Sequence, residues 1–453
     1  MRTVATIAAA TAIAGALLLA LTLGSGDAEA QKIDPRRPSV LVVGPPRGAA
    51  PMQRLDARRS GLSKTFLPSG PLSIAWRKPT GLTIDHPPLI AADGSLVVVS
   101  SRGDVGFYDD RGDEKATIKV GAAQVGPAAM TSDGTIVFLS TSGDAMGVRR
   151  GASPPIRYTT RIGGERNTRA APLALDDGGV VVATLTDLVV LDAEGNVRAR
   201  VTLPEQPAAP LVAAGDKVLA VTSTGAVFGW TPGHDSVRLG SFGAPIDGGA
   251  ALTTQGTLLA VIEGNHLAEV DVVRGSRATW SIASQGIYLG PPAVREIPGG
   301  TSIAMLGAMT HTLGFVLALD PAGQELLRAP VAKFQPNVLP DGGMPPLQTP
   351  PHTGMIIDAR GAIAFATTDG RIGTIAPDGA LDTLGDTFCA KGSRGGVAGL
   401  TPFGANAFAV ACEGGLIARI AGGNTPPPPA AKPSPSPTPS SSADSDKLRR
   451  REP

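Results

Sequence analysis

The phrase DGSLVVVSSRGDVGFYDDRG, Asp93 to Gly112, returns about forty residues later as DGTIVFLSTSGDAMGVRRG, Asp133 to Gly151, and its order of turns and strands keeps returning to about residue 420. A turn at Asp93-Gly94 leads into the run Leu96 to Val99, Arg102-Gly103-Asp104 turns the chain, and Val105 to Tyr108 runs back. Aligning each unit on its first core apolar residue gives Leu96, Ile136, Val180, Val218, Leu258, Ile303, Ile363 and Ala407, spaced about 40 residues apart with one wider gap. A period in that range points to a β-propeller or another repeat array.

Within each unit the order is constant. A small-residue or Pro strand comes first, as in HPPLIA (His86 to Ala91), GPAAMT (Gly126 to Thr131), APLALD (Ala171 to Asp176) and GPPAVR (Gly290 to Arg295). The apolar strand and its return follow. A closing turn such as DAEG (Asp192 to Gly195), DPAG (Asp320 to Gly323) or APDG (Ala376 to Gly379) leads to a fourth strand such as ATIKV or ATWSI. Four antiparallel strands per period make one propeller blade. The sequence thus predicts an all-β fold, an eight-bladed β-propeller of four-stranded antiparallel blades over residues 70–423. A pair of β-sandwiches, the alternative, has no reason to repeat at a fixed period. The 58 Gly and 41 Pro residues furnish the turns.

The last unit stops after its third strand, GLIARI (Gly415 to Ile420), and the strand it lacks stands at the other end as LSIAWRKP (Leu72 to Pro79). Ser73, Ile74, Ala75, Trp76 and Arg77 are therefore expected to complete the eighth blade and hold the ring shut, leaving only short edges.

Outside the repeats, residues 1–30 carry Arg2, an apolar stretch from Val4 to Leu23 and Ala28-Glu29-Ala30, the plan of a secretory signal. Its apolar length also suits an uncleaved anchor. No Cys stands near the cleavage region for lipidation, and no later segment is apolar enough to cross a membrane. Residues 31–69 read as a disordered Pro/Arg-rich spacer, and 424–453 as a disordered Pro/Ser-rich tail. The insertion Ala332 to Gly354 is expected to lie over one face. A periplasmic or extracellular location follows.

Forty basic against thirty-nine acidic residues remove the charge imbalance of a nucleic-acid binder. Five isolated histidines, His86, His234, His266, His311 and His352, form no metal motif, and neither a nucleophile elbow nor a phosphate loop is present. No catalytic, cofactor-binding or metal residue is assigned, and no cofactor is expected. Asp-Gly pairs at Asp93, Asp133, Asp177, Asp369 and Asp378 lack the alternating acids of a calcium loop. Arg111-Gly112-Asp113 spells an adhesion tripeptide inside a turn. Cys389 and Cys412 are the candidates for one disulfide bracing the last unit, against two separate thiols.

The closing elements LALDPAGQELLR (Leu317 to Arg328) and VVLDAEGNVRAR (Val189 to Arg200), with the tryptophans of IAWRKPTG and ATWSIA, resemble the quinoprotein-like, or PQQ-type, propeller repeat. In that family a Trp on the outer strand docks against the next blade, a role the resemblance gives to Trp76 and Trp280. Trp230 stands elsewhere in its unit. Redox members use an adjacent Cys pair, a Trp platform and a calcium-holding set, whereas Cys389 and Cys412 are not adjacent. Non-enzymatic members include the periplasmic propeller of the outer-membrane assembly machinery. The resemblance thus implies a monomeric scaffold binding other envelope proteins. The alternatives are a central-funnel enzyme, degenerate quinoprotein or lyase-like, and a sensor domain for a small molecule or glycan.

Overall fold

The apolar runs pair into eight sheets, six of them antiparallel meanders of consecutive strands, which we number one to eight along the chain. The computed structural model describes residues 50–423, apart from 53, 164–169, 264–265, 276, 282–286, 299, 311–312, 321–322, 334–354, 367–371, 385–387 and 390–395. The expected signal, the tail and nearly all of the insertion lie outside these residues. Ala332 and Lys333 end the strand Glu325–Lys333. Among the described residues no helix is long and apolar enough to cross a membrane.

The fold is an all-β propeller, and its blades explain the burial pattern. Second strands such as Leu96–Val99, Val180–Ala183 and Ile363–Ala366 are buried at every position, because both faces of each sheet pack on a neighbour. Fourth strands such as Ile156–Arg161 alternate between half-buried and exposed, because they lie at the rim. Gly225 and Gly415 turn with φ of 83° and 82°. A side chain on either would collide with the backbone carbonyl of Ala244 or Leu82, so these turns pass tightly under the neighbouring connection.

Seven sheets have four antiparallel strands, which corrects the expectation of eight four-stranded blades. Sheet seven has five, since Leu62–Ser63 adds parallel to Ile356–Asp358 at its inner edge. Sheet eight is completed from the front of the chain, where Leu72–Pro79 pairs antiparallel with Leu416–Gly422. Ser73 faces Ala421, Ile74 faces Ile420, Trp76 faces Arg419 and Arg77 faces Ala418, while a bulge leaves Ala75 without a partner. One apolar cluster joins Leu96 and Val98 of sheet one to Ala364 of sheet seven and Val410 of sheet eight.

Residues 50–69, expected to be spacer, are instead packed into the propeller. The innermost strand of each sheet has one edge with no neighbouring strand, so its N–H and C=O groups need partners. Residues 50–63 supply them in sheet order to sheets one, two and four to seven. Ala50 bridges Ile90 of sheet one, and Pro51 accepts from the Met130 amide of sheet two at 2.7 Å. The carbonyls of Ala57, Arg58, Ser60 and Gly61 accept from Ala213, Leu252, Val294 and Ile357 of sheets four to seven at 2.7 to 2.9 Å. The segment runs antiparallel to its partners in sheets one and two and returns parallel to sheet seven. It is a strap that dips into the space between the inner strands and leaves by the face it entered.

Two arginines lock the strap at its turn. Arg59, 0% exposed, donates to the carbonyls of Leu211 at 2.9 Å, Pro172 at 2.7 Å and Ala171 at 3.4 Å. Arg54 donates to Pro291 at 3.0 Å, to Pro292, and to the strap's own Arg59 carbonyl. Burial pulls their pKa values to about 9 for Arg54 and about 10 for Arg59, with Asp56 opposing the fall. Both therefore stay charged at neutral pH. Asp56 also accepts from the Ser60 amide at 2.9 Å and hydroxyl at 2.6 Å, fixing the turn between the two arginines.

Candidate functional site

The strap enters on the face that carries the turns between first and second and between third and fourth strands. Those turns bear the Asp-Gly pairs at Asp93, Asp133 and Asp177, and the structure gives each of these three aspartates two jobs. One oxygen accepts from the amide two residues on, Asp93 from Ser95 at 2.9 Å, Asp133 from Thr135 at 3.1 Å and Asp177 from Gly179 at 3.0 Å. The other oxygen pairs with an arginine, Arg150, Arg149 and Arg198 in turn. The repeat is therefore turn hardware. Asp378 caps its turn through the Ala380 amide, and Asp369 lies outside the described residues.

Where the strap enters, a cavity of about 630 Å³ opens between sheets one, two and three. Its floor is apolar, made by Met52 of the strap with Ile90, Phe107 and Met130. Its mouth is charged, with Asp93, Asp133, Asp176, Arg149 and Arg150. Arg150 lies over the Phe107 ring at 5.2 Å and donates to the Ser95 hydroxyl at 3.2 Å. Burial would raise the carboxyls of Asp93 and Asp133, but hydrogen bonds from Ser95, from Thr131 and Thr135, and the adjoining Arg150 and Arg149 hold both below the ordinary range. Asp176 behaves in the opposite sense. Burial, and then Asp177 beside it, raise its carboxyl. A second cavity of about 570 Å³ adjoins the first across Asp93 and Arg150, and the Asp109–Lys115 pair at 2.9 Å lies on its wall.

The residues singled out from sequence lie mostly elsewhere. Trp76 donates from Nε1 to the Asp110 carbonyl of sheet one at 2.7 Å, its ring lies against Gly112, and it meets Phe403 edge-on at 6.1 Å. It thus bridges sheets eight and one. Trp280 pairs by its backbone with Leu267, and its side chain is outside the described ones. The docking position that seemed empty in other units is filled by Tyr158 against Gly195 and by Leu327 against Gly379, residue types that a search for Trp passes over. Trp230 is buried within sheet four and donates to the His234 carbonyl at 3.0 Å.

Cys389 and Cys412 are joined as a disulfide, with Cα atoms 5.6 Å apart, beside the core of sheet eight. Reduction is expected to cost on the order of 3 kcal/mol for a loop of this size. Alkylation without reductant followed by intact mass measurement checks the bond, and two modified thiols would refute it. Among the described residues no group of three or more His, Cys, Asp or Glu is placed to hold a metal. His311 and His352 are not among them.

No protein-family model matches the sequence, and no curated protein does. Solved structures do. BamB from Moraxella catarrhalis is 17% identical with a TM-score of 0.55, over 77% of this chain and 99% of that one. The quinohemoprotein alcohol dehydrogenase ADHIIG from Pseudomonas putida HK5 is 10% identical with a TM-score of 0.60, over 86% and 82%. A europium-containing methanol dehydrogenase is 12% identical with a TM-score of 0.59, over 81% and 90%. The fold is that of the PQQ-type propellers. Likeness at this identity reaches the fold and no further, since enzymes and BamB share it.

A PQQ-type propeller that holds the quinone at its centre needs open space there. In this chain the strap's own side chains and hydrogen bonds occupy the space between the inner strands, and the disulfide joins Cys412 of sheet eight to Cys389, 23 residues earlier and outside any strand. The residues present do not fit the group.

Proposed function

We propose that this chain is an exported, non-enzymatic propeller scaffold that holds a protein of the cell envelope on the face carrying the cavity. The observation that carries the reading is the strap. A funnel enzyme works from the centre of the ring, and here that centre is taken by residues 50–63, bonded to sheets one to seven. Binding is left to a face or the rim, and the cavity at the strap's entrance is a concave feature there. In the same reading Leu72–Pro79 closes the ring, the disulfide braces the closing sheet, and a single copy suffices. The N-terminal apolar stretch directs the chain out of the cytoplasm, either as a cleaved signal or as an anchor. The cavity volume also suits a small-molecule sensor, which stands as the second reading.

A photo-crosslinking amino acid placed in cells at Ser132, on the cavity face, and separately at Arg102, in a turn on the opposite face, tests the scaffold. One envelope protein captured in near-stoichiometric yield from Ser132, and little of it from Arg102, is the expected result. Capture from Arg102 alone, or from neither, would overturn it.

A further inference from the structure

The cavity mouth is selective in charge. Arg150 and Arg149 are each neutralised by an aspartate, Asp93 and Asp133, whose remaining oxygen is committed to a turn. Asp176 differs from both. Among the described residues that line the cavity it is the one carboxylate with neither a turn amide nor an arginine, while its neighbour Asp177 is taken by Arg198. An anion entering would have to displace an existing pair, whereas a cation would meet an uncompensated carboxylate. Beneath it lie the thioethers of Met52 and Met130, flexible side chains that repack around differently shaped guests.

We propose that this cavity receives a segment of the protein partner that presents a Lys or Arg to Asp176 and a neighbouring aliphatic side chain to Met52 and Met130. The inference rests on the scaffold reading and adds the partner's chemistry. Its volume, about 630 Å³, falls within the roughly 300–1,000 Å³ of sites that enclose a ligand of a few side chains. Asp176 is exposed at the mouth, and the partner's cation offsets the repulsion between it and Asp177, so recognition and local electrostatics act in the same direction.

The test uses the full chain with 13C-methyl methionine, in which Met52 and Met130 report from the cavity floor. The probe is acetyl-Leu-Gly-Arg-Leu-amide, with its norleucine counterpart in place of Arg. Saturable shifts at Met52 and Met130 are expected with the Arg peptide, weakened about 5-fold by the norleucine replacement and by Asp176→Asn, the scale of one partly exposed ion pair. Equal affinity for the two peptides, an unaffected Asp176→Asn, or shifts confined to other methionines would overturn the proposal. Crosslinking from Ser132 separates the two ideas. A partner retained at full yield in Asp176→Asn leaves the scaffold standing and removes the cation site, while no partner in the unsubstituted chain removes the scaffold itself.

Discussion

Replacing Arg59 by Ala is expected to destabilise the whole domain by about 3–5 kcal/mol, the scale for breaking a buried, hydrogen-bonded charge network. The guanidinium is fully buried and donates to the carbonyls of Pro172 and Leu211, just before the first strands of sheets three and four, and its loss takes away that donor. Arg59→Lys restores the charge but not the fork that spans Leu211 and Pro172, so it recovers less than half of the loss. Arg58→Ala is the control, one residue away and only partly buried, with an expected effect below about 1 kcal/mol. Urea midpoints for the three variants decide the matter. Similar midpoints for Arg59→Ala and Arg58→Ala would mean that the strap does not hold the inner strands together.

Exchanging Leu72–Pro79 for a Gly/Ser linker of the same length should lower the melting temperature on the order of 10 °C in a single transition. The change removes a full edge of backbone pairing with Leu416–Gly422, the Trp76 contacts with Asp110 and Phe403, and the Lys78–Asp113 pair. Because those contacts join the last sheet to the first, the loss should be felt around the ring. An unchanged melting temperature would mean the strand merely decorates sheet eight. Trp76→Ala alone is expected to give a smaller shift in the same direction, since the strand pairing survives it.

These two expectations differ in how far they were legible. Pairing of the front strand with the last sheet followed from counting, since GLIARI had no successor and LSIAWRKP no predecessor. The second strands could be placed because an apolar run between two turn signals has few other uses. The strap had no such signature. Its residues are neither periodic nor β-branched, and its carbonyls find their partners in backbone amides of six other stretches of chain, so Pro and Arg in PMQRLDARRS read as linker composition. The extra strand of sheet seven was missed for the same reason, because Leu62–Ser63 is where the strap leaves. The candidate site was half legible. Asp93, Asp133 and Asp177 were marked by their repeated turns, whereas Asp176 gained interest only when the structure accounted for its neighbours and left it over.

Whether the strap fills the centre of the propeller is tested most directly by amide hydrogen exchange. The amides of Ala213, Leu252, Val294 and Ile357, which donate to the strap, should exchange as slowly as those in the second strands, through global unfolding alone. Exchange at these four positions orders of magnitude faster than at Val181, Ala220 or Ala364 would show that the strap leaves the centre in the native state, and would return the open funnel to consideration as a site of function.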